Sequence, residues 1–410
     1  MMASILALAA ALPTVQDGTV YPLDNRRYPE SYAGLPADEG PWWSRFKNRP
    51  LDASGAWRFD FGLELRAQSE TFRGDGLREA EDDGLDYIWW RALPVFDVRG
   101  PGVRFFTQLV FAAASGLDEE PSPIDASRGD VQQAFVEAPF EVAGRGLRLR
   151  ARRRLLAYGS QRLVGYRYGP NVPLPFDGVS VTLEEPGFTA EALWQRPVGT
   201  REGAFDDSAR DGESLYGLYT TTAFEDQGLD LYYLGHRENA ARYDAGAADE
   251  DRHTVGARWF GAAGRFDWNA EAFFQTGEFG AQDIRAWSAT VEAGAHLGGE
   301  PDGERGEVGA LRVFARASVV SGDRDPDDDE LGTFDPLYPR GKYFGEIGTI
   351  GPSNLMDALV GAQVDLGSGF ELEASTNAYW RHSRGDGIYA NNGALLRSGA
   401  GSDARFVGLQ

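Results

Sequence analysis

The densest chemistry in the chain is the stretch LRLRARRR at residues 147–154. Successive side chains of an extended strand point to opposite faces, so the even-numbered arginines share one face of this stretch. These arginines, called the arginine row below, are Arg148, Arg150, Arg152 and Arg154. Guanidinium groups bind carboxylates through paired hydrogen bonds, and rings of them select anions in pores. The stretch therefore predicts anion-binding side chains along one strand.

The elements that would hold the arginine row follow the same alternation of apolar and polar residues. The alternation is strict over 57–68 and recurs at 265–275, 311–319 and 370–381. Further candidate strands are 86–98, 103–113, 131–141, 147–155, 178–184, 188–195, 214–222, 228–236, 253–260, 285–296, 357–367 and one that starts at 404. About sixteen strands are thus predicted, with no amphipathic helix between them.

Strand and loop lengths distinguish the architectures that such a count allows. Strands of soluble sandwiches have about five or six residues, whereas these run to about ten, enough to cross a bilayer at a tilt. Short turns at 99–102, 261–264 and 367–369 alternate with long acidic loops at 117–130, 198–213, 239–251, 321–354 and 382–404. The pattern predicts an all-β fold, a single antiparallel transmembrane β-barrel. A soluble β protein is the alternative.

Composition and charge exclude several classes of protein. The chain has 410 residues, no Cys and a formal net charge of −23. The acidic balance argues against nucleic-acid binding, and the lack of Cys removes thiol chemistry and Cys-ligated zinc. Residues 1–18 include the apolar run ASILALAAALP and are interpreted as an export signal, with a buried helix as the alternative. Residues 19–410 are then the barrel.

The same alternation places further arginines on the polar face of the wall. They are Arg66, Arg91, Arg258, Arg312, Arg316 and Arg381. An arginine that faces lipid costs about 2–4 kcal/mol, so these side chains are expected to line the lumen. The alternative is that they only stabilise the wall by pairing with carboxylates such as Glu64, Asp230, Glu271, Glu292 and Glu373. No single strand offers an acidic run that matches the arginine row, which favours the lumen interpretation.

Signals for a metal or a catalytic centre are weak. The acidic run at 323–330 offers Asp323, Asp325 and Asp327 as calcium ligands, but it lacks the EF-hand spacing, so a solvated loop is preferred. The four histidines form no recognisable triad with Ser and a carboxylate. We therefore expect no cofactor and no enzymatic activity. A hydrolase embedded in the barrel is kept as an alternative.

Two longer motifs resemble the signature of the alginate export family of outer-membrane barrels. They are RLLAYGSQRLVGYRYGPNVPLPFDGVSV at 154–181 and TFDPLYPRGKYFG at 333–345, the latter followed by Asn354 and Leu355. Shorter similarities follow in the family's order, including VQQAFVE at 131–137 and YWRHSRGDGIY at 379–389. The resemblance implies a monomeric barrel of about 18 strands in the bacterial outer membrane. It also implies an electropositive constriction that passes a polyuronate, and periplasmic secretion scaffold proteins as partners.

The resemblance also assigns individual residues. It supports Arg152 as a basic residue of the lumen, and it matches Arg340, Lys342 and Arg381 to basic positions of the family. The Gln and Glu that the family carries after this lumen position are replaced here by Arg153 and Arg154.

The C-terminal end of the chain bears on the strand count, and the resemblance bears on the expected function. The last strand begins near Arg405, so about two strands of the barrel are expected to be missing at the C-terminus. The expected function is an outer-membrane channel that passes an anionic polysaccharide such as alginate through an arginine-lined pore. The alternative is an uptake porin for small carboxylates or oligouronates.

Overall fold

In the described part of the chain, sixteen antiparallel strands build the wall of the molecule. The structure, a computed structural model, describes residues 24–32, 35, 42–72, 85–117, 121–297, 310–341, 344, 348, 350–367, 370–400 and 404–409. The interpreted export signal at 1–18 and the candidate Lys342 lie outside the described residues. The wall strands are β1 Arg58–Phe72, β2 Leu85–Gly100, β3 Val103–Ser115, β4 Ser127–Val142, β5 Arg145–Leu155, β6 Pro175–Glu185, β7 Phe188–Gly199, β8 Glu213–Phe224, β9 Gln227–Tyr243, β10 Gly246–Ala263, β11 Phe266–Phe279, β12 Gln282–Leu297, β13 Leu311–Val320, β14 Leu355–Gly367, β15 Phe370–Arg381 and β16 Phe406–Leu409.

Each wall strand pairs with the next strand along the chain, from β1 to β16. The strands from β1 to β15 are 10 to 18 residues long. The sixteen predicted segments correspond to these strands one by one, because period-two alternation is a local property that the sequence displays directly. No helix of the described residues has the length and apolar character needed to cross a membrane.

Shorter elements lie outside this wall or at its rim. Among the described residues they are a 3-10 turn at Ser44–Phe46 and the short strands Arg49–Pro50, Ser208–Ala209, Glu330–Leu331, Ile388–Tyr389 and Leu395–Arg397. Arg49–Pro50 pairs with β1, Ser208–Ala209 with β7, and Glu330–Leu331 runs parallel to β12. These three strands extend the sheet at its edges, whereas Ile388–Tyr389 and Leu395–Arg397 pair with each other in a separate two-stranded sheet.

One predicted loop is a strand hairpin. The acidic segment 239–251 was expected to be a long loop, but β9 continues to Tyr243 and β10 starts at Gly246, so only two residues join them. The register shifts between Glu238 and Ala241, where Ala240 has a φ of 58°. A bulge of this kind inserts an unpaired residue and lets the ladder continue beyond it. The prediction was wrong because the acidic residues of this segment were assigned to a loop on the basis of their charge.

The wall is apolar outside and polar inside, the reverse of a soluble protein. On β1, Leu63 and Leu65 are 51% and 72% exposed. Polar side chains of the other face are buried, including Arg91, Gln108 and Gln275 at 3%, 0% and 0% exposure. An apolar outer surface with a polar interior is the pattern of a transmembrane barrel. The predicted fold class is confirmed.

Two loops enter the interior and share a hydrophobic cluster with the wall. They are the β5–β6 loop at 156–174 and the β13–β14 loop at 321–354. The first contributes Leu163 and Val164 and the second Phe334 and Tyr338, all at most 5% exposed. Wall residues such as Leu234 belong to the same cluster. Because apolar burial of this kind is worth about 25 cal/mol per Å², the two loops are fixed parts of the fold.

Candidate functional site

Neighbouring strands neutralise most of the arginine row. Arg150 is 9% exposed and donates from Nε to Oε2 of Glu137 on β4 at 3.0 Å. Its guanidinium lies over the ring of Tyr28, 4.8 Å from the centroid. Arg148 lies 3.8 Å from Glu137 and forms a second ion pair with Glu184 on β6. Both arginines therefore contribute little net charge to the lumen.

Arg154 is also paired. It is 2% exposed, forms an ion pair with Glu191 on β7, and lies 3.4 Å from the hydroxyl of Tyr158. No single strand carries an acidic run that matches the arginine row, but β4, β6 and β7 each supply one carboxylate to it. For Arg148, Arg150 and Arg154 the pairing alternative thus describes what the structure shows.

Arg152 is the exception in the arginine row. The register places it opposite Phe135 on β4 and Gly178 on β6, neither of which carries charge. Its side chain is exposed, and the described residues give it no ion pair and no hydrogen bond. Its φ of 93° lies in the left-handed region, which costs a residue other than glycine about 1–3 kcal/mol. Strain of this kind clusters at functional sites, so Arg152 combines a free charge with a strained backbone.

The next residue, Arg153, belongs to the outer face. It stands in register with Asp177 on β6, which in turn stands opposite Arg196 on β7. Arg153 donates to both carboxylate oxygens of Asp177, at 3.0 and 2.9 Å. Trp194, two residues before Arg196 on the same face of β7, is 48% exposed. Arg153 also lies 3.5 Å from Asp130, so two carboxylates compensate its charge.

Two predicted lumen arginines hold the β5–β6 loop instead of standing free. Arg66 on β1 donates to the carbonyl of Tyr168 at 3.1 Å and to Oδ1 of Asn171 at 3.3 Å. Arg91 on β2, 3% exposed, donates to Glu64 at 2.6 Å and to the carbonyl of Tyr168 at 3.3 Å. Burial, together with Glu64, raises the pKa of Tyr168 to about 12. These arginines are positioning residues of the loop.

Asn171 fastens the same part of the loop. It is 0% exposed, and its Nδ2 donates to three main-chain carbonyls at 3.1, 3.2 and 2.8 Å. Those carbonyls belong to Trp90, Ala113 and Asp125. One buried amide therefore ties the loop to β2, β3 and the β3–β4 connection.

The start of the β5–β6 loop is fastened to the other side of the barrel. Arg162 donates to Oε2 of Glu271 on β11 at 2.8 Å, and Ser160 bonds the same oxygen. The backbone N–H of Gly165 donates to the carbonyl of Tyr338 in the β13–β14 loop at 2.8 Å. The loop thus crosses the lumen from β11 to β1 and β2, and the two inner loops are joined to each other.

Three of the other predicted wall arginines are paired with carboxylates, and the fourth donates to a main-chain carbonyl. Arg258 lies 3.1 Å from Asp230, Arg312 lies 2.6 Å from Asp267 and 3.1 Å from Glu292, and Arg316 lies 3.3 Å from Asp357. Arg381, at the end of β15, is 2% exposed and donates to the carbonyl of Arg384. Of the carboxylates named for the pairing alternative, Glu64, Asp230, Glu271 and Glu292 are used.

The remaining candidates lie on the β13–β14 loop. The side chain of Arg340 is exposed and has no ion pair with a described residue. Asp323 turns inward, 3% exposed, and its N–H donates to Asp386 at 2.9 Å, whereas Asp325 accepts the N–H of Asp327 at 3.2 Å. Among the described residues, the side-chain groups close enough to share a metal ion include none of these three carboxylates.

Several interior groups escaped the sequence analysis. Residues 24–32 enter the barrel: Arg104 on β3 donates to the carbonyl of Tyr28 at 2.7 Å, and Gln133 on β4 donates to that of Arg26 at 2.8 Å. Arg252 is 0% exposed and donates two hydrogen bonds to Glu250 on its own strand, from Nε to Oε1 at 2.8 Å and from Nη2 to Oε2 at 2.9 Å. Arg252 shares the face of Arg258 on β10, so extending the predicted strand by one residue would have found it.

A cavity of about 340 Å³ lies between residues 24–26 and the β5–β6 loop. It is lined by Asp24, Asn25, Arg26, Ala157, Gly159, Gln161 and Tyr166. Arg26 and Asp24 form two parallel hydrogen bonds at 3.0 and 2.7 Å, so the charges of this wall cancel locally. The cavity is polar and close to neutral.

A membrane barrel with a polar interior and inward-folded loops is an outer-membrane porin-type channel. The family described as Alginate export matches residues 57–410, and the chain belongs to this family.

Solved porin structures share the fold. Pseudomonas aeruginosa OpdK, solved with vanillate, aligns with a TM-score of 0.51 at 14% identity, over 79% of this chain and 82% of OpdK. Pseudomonas aeruginosa OpdO aligns at 0.48 and 14% identity, over 79% of both chains. A BenF-like porin from Pseudomonas fluorescens Pf-5 aligns at 0.42 and 11%, over 79% of this chain and 94% of the porin. No curated protein sequence matches the chain.

Proposed function

We propose that this channel lies in the bacterial outer membrane and passes an anionic polysaccharide such as a polyuronate, without covalent chemistry. Membership of the family described as Alginate export supports a carboxylate-rich polymer as cargo. The observation that carries the proposal is Arg152, an exposed arginine on the interior face with no acidic partner among the described residues.

Carboxylate pairing along most of the wall makes the exposed charge of Arg152 significant. Paired arginines are close to neutral toward a passing anion, because the partner carboxylate repels what the guanidinium attracts. A conducting pore needs sites that attract its cargo and still release it. One uncompensated arginine beside a neutral wall meets both conditions. Arg340, exposed on an inner loop, is a second candidate of the same kind.

The partners follow from the same proposal. The apolar outer face contacts outer-membrane lipid, the polymer contacts the lumen, and periplasmic secretion scaffold proteins deliver the polymer to a monomeric barrel.

One observation favours a second function, the uptake of small carboxylates or oligouronates. Two inner loops cross the lumen, and the cavity beside residues 24–26 holds about 340 Å³, which is the size of a small-molecule site. Under this alternative short anions would pass the loops that a polymer cannot.

Single-channel conductance of the full chain in planar bilayers separates the two functions. Polyuronate, a neutral polymer of matched length and a short uronate are added in turn. The proposal expects anion-selective current that polyuronate blocks at a much lower uronate concentration than the short anion, while the neutral polymer has no effect. Equal block by short and long anions would favour the small-carboxylate porin.

A further inference from the structure

A buried histidine lies where β9, β10 and the β13–β14 loop meet. His236 on β9 is 2% exposed, and its Nε2 lies 3.0 Å from the hydroxyl of Tyr338 on the loop. That hydroxyl donates to Oε1 of Glu213 on β8 at 2.7 Å. Since the phenolic proton is used on Glu213, the hydroxyl accepts from the imidazole. The hydrogen-bond chain therefore places a proton on Nε2 of His236.

The other ring nitrogen faces two carboxylates. Nδ1 of His236 is buried and has no hydrogen-bond partner in the described structure. It lies 3.7 Å from Oε1 of Glu250 and 3.6 Å from Oδ2 of Asp335. With Nε2 already protonated, a neutral imidazole would aim its lone pair at two anions. Either a second proton on Nδ1 or a metal cation between the three atoms removes this repulsion.

We propose that His236, Glu250 and Asp335 bind a divalent transition-metal ion, with Zn²⁺ as the best fit. One imidazole nitrogen and two carboxylate oxygens are a donor set that zinc accepts, at about 2.0–2.2 Å per bond. Ligands of a tetrahedral zinc ion are then about 3.4 Å apart, and the donor atoms here all lie within 4.8 Å of one another. Nδ1 lies 3.7 and 3.6 Å from the two oxygens, close to that separation. The two carboxylate oxygens would approach each other by at most about 1.4 Å when the ion binds.

The surroundings of the three donors resemble a supported metal site. Metal-bound imidazoles usually donate their second N–H to a hydrogen-bonded partner, and Tyr338 and Glu213 provide this relay. Arg252 holds Glu250 with two hydrogen bonds, at 2.8 and 2.9 Å, and so fixes its orientation. A second group of donors, which combines His236 with Glu213 and Glu238, would need Nε2, and Tyr338 already occupies that nitrogen.

The site would tie an inner loop to the wall. His236 and Glu250 belong to β9 and β10, whereas Asp335 belongs to the β13–β14 loop. An ion shared by all three fixes the loop inside the lumen at a point remote from Arg152 in sequence. The inference is independent of the cargo and stands if the polyuronate proposal fails.

The test is a Zn²⁺ titration of the full chain, refolded in detergent and freed of metal with a chelator, followed by calorimetry. We expect one Zn²⁺ per chain. His236→Gln and Asp335→Asn should weaken binding at least 100-fold, and Tyr338→Phe should weaken it about 10- to 100-fold, as loss of an outer partner does. Replacement of Zn²⁺ by Co²⁺ should give the visible spectrum of a tetrahedral ion.

His253→Gln is the matched control. His253 is the other histidine of the β9–β10 pair, lies near the surface and contacts the hydroxyl of Tyr233 at 2.8 Å, so its loss should leave Zn²⁺ affinity unchanged. The proposal is overturned by less than one bound ion per chain, or by equal affinity in His236→Gln. It is also overturned if nitrogen NMR shows His236 protonated on both ring atoms in the presence of Zn²⁺. If His236→Gln does not fold, Asp335→Asn decides, since it changes a loop residue at constant volume.

Discussion

Replacing Arg152 by Gln should weaken polyuronate block about five- to tenfold while leaving the barrel folded. The side chain is exposed, faces the interior, and stands opposite Phe135 and Gly178, so no described carboxylate offsets its charge. Two unit charges 4 Å apart interact by about 1 kcal/mol in water and about 4 kcal/mol at an effective dielectric of 20. An exposed lumen lies near the aqueous limit. A loss of about 1–1.4 kcal/mol corresponds to the stated factor.

The assay is the polyuronate concentration that halves single-channel current, measured at low and high salt. Arg265→Gln is the matched control, because it removes an exposed arginine that has no ion pair with a described residue from the short β10–β11 turn, away from the interior face. The difference between the two variants should shrink as the ionic strength rises from about 0.1 M to 1 M, since the screening length falls from about 10 Å to 3 Å. Equal shifts in both variants, or none in Arg152→Gln, would refute a selectivity role for this arginine.

Three further predictions follow from the loops and the outer face. Asn171→Ala removes three hydrogen bonds to main-chain carbonyls, so it should loosen the β5–β6 loop by about 1–3 kcal/mol, seen as larger and noisier conductance. Leu65→Arg places a charge on the lipid face, at a side chain that is 72% exposed. The variant should lose about 2–4 kcal/mol of folding free energy in vesicle refolding if β1 contacts the hydrocarbon there. Gln68→Arg, on the inner face, should refold normally. Burial raises the pKa of Asp207 to about 6, so its carboxyl group binds a proton more tightly in the folded loop than in the unfolded chain. The stability of loop 200–212 should therefore fall as the pH rises from about 4 to 6. After solvent screening the effect is about 1 kcal/mol; Asp207→Asn should abolish it in hydrogen-exchange protection, and the exposed Asp211→Asn should not.

The wall could be predicted from the sequence because its signal is local. Alternation with period two fixes which face each side chain takes, and Arg66, Arg91 and Arg258 indeed lie on the interior side. Pairing was also within reach for one site. The two-residue turn at Ala143 and Gly144 sets the β4–β5 register and places Glu137 opposite Arg150. Glu137 lies on a different strand from the arginine row, so a comparison within single strands does not reveal it, although the turn length specifies it.

The inner loops could not be predicted, because their contacts join residues far apart in the chain. Asn171 bonds the carbonyl of Trp90 across 81 residues, and Tyr338 bonds Glu213 across 125. Neither segment carries a periodic pattern, and their Gly, Pro and Tyr content is typical of surface loops. What folds them inward is the polar interior itself, whose arginines and carboxylates offer partners to main-chain groups that would otherwise face water.

These contacts change how the arginines act in the pore. A paired arginine inside a membrane wall stabilises the barrel, because removal of either partner leaves a charge without compensation. Arg152 has no partner among the described residues, so it adds no ion pair to the wall, and its backbone is strained as well. Under the proposed function, the selectivity of the channel depends on the residual charge after pairing, which the number of arginines overstates. The β5–β6 loop is fastened to β1, β2 and β11, so the proposed cargo would pass a lumen that this loop narrows.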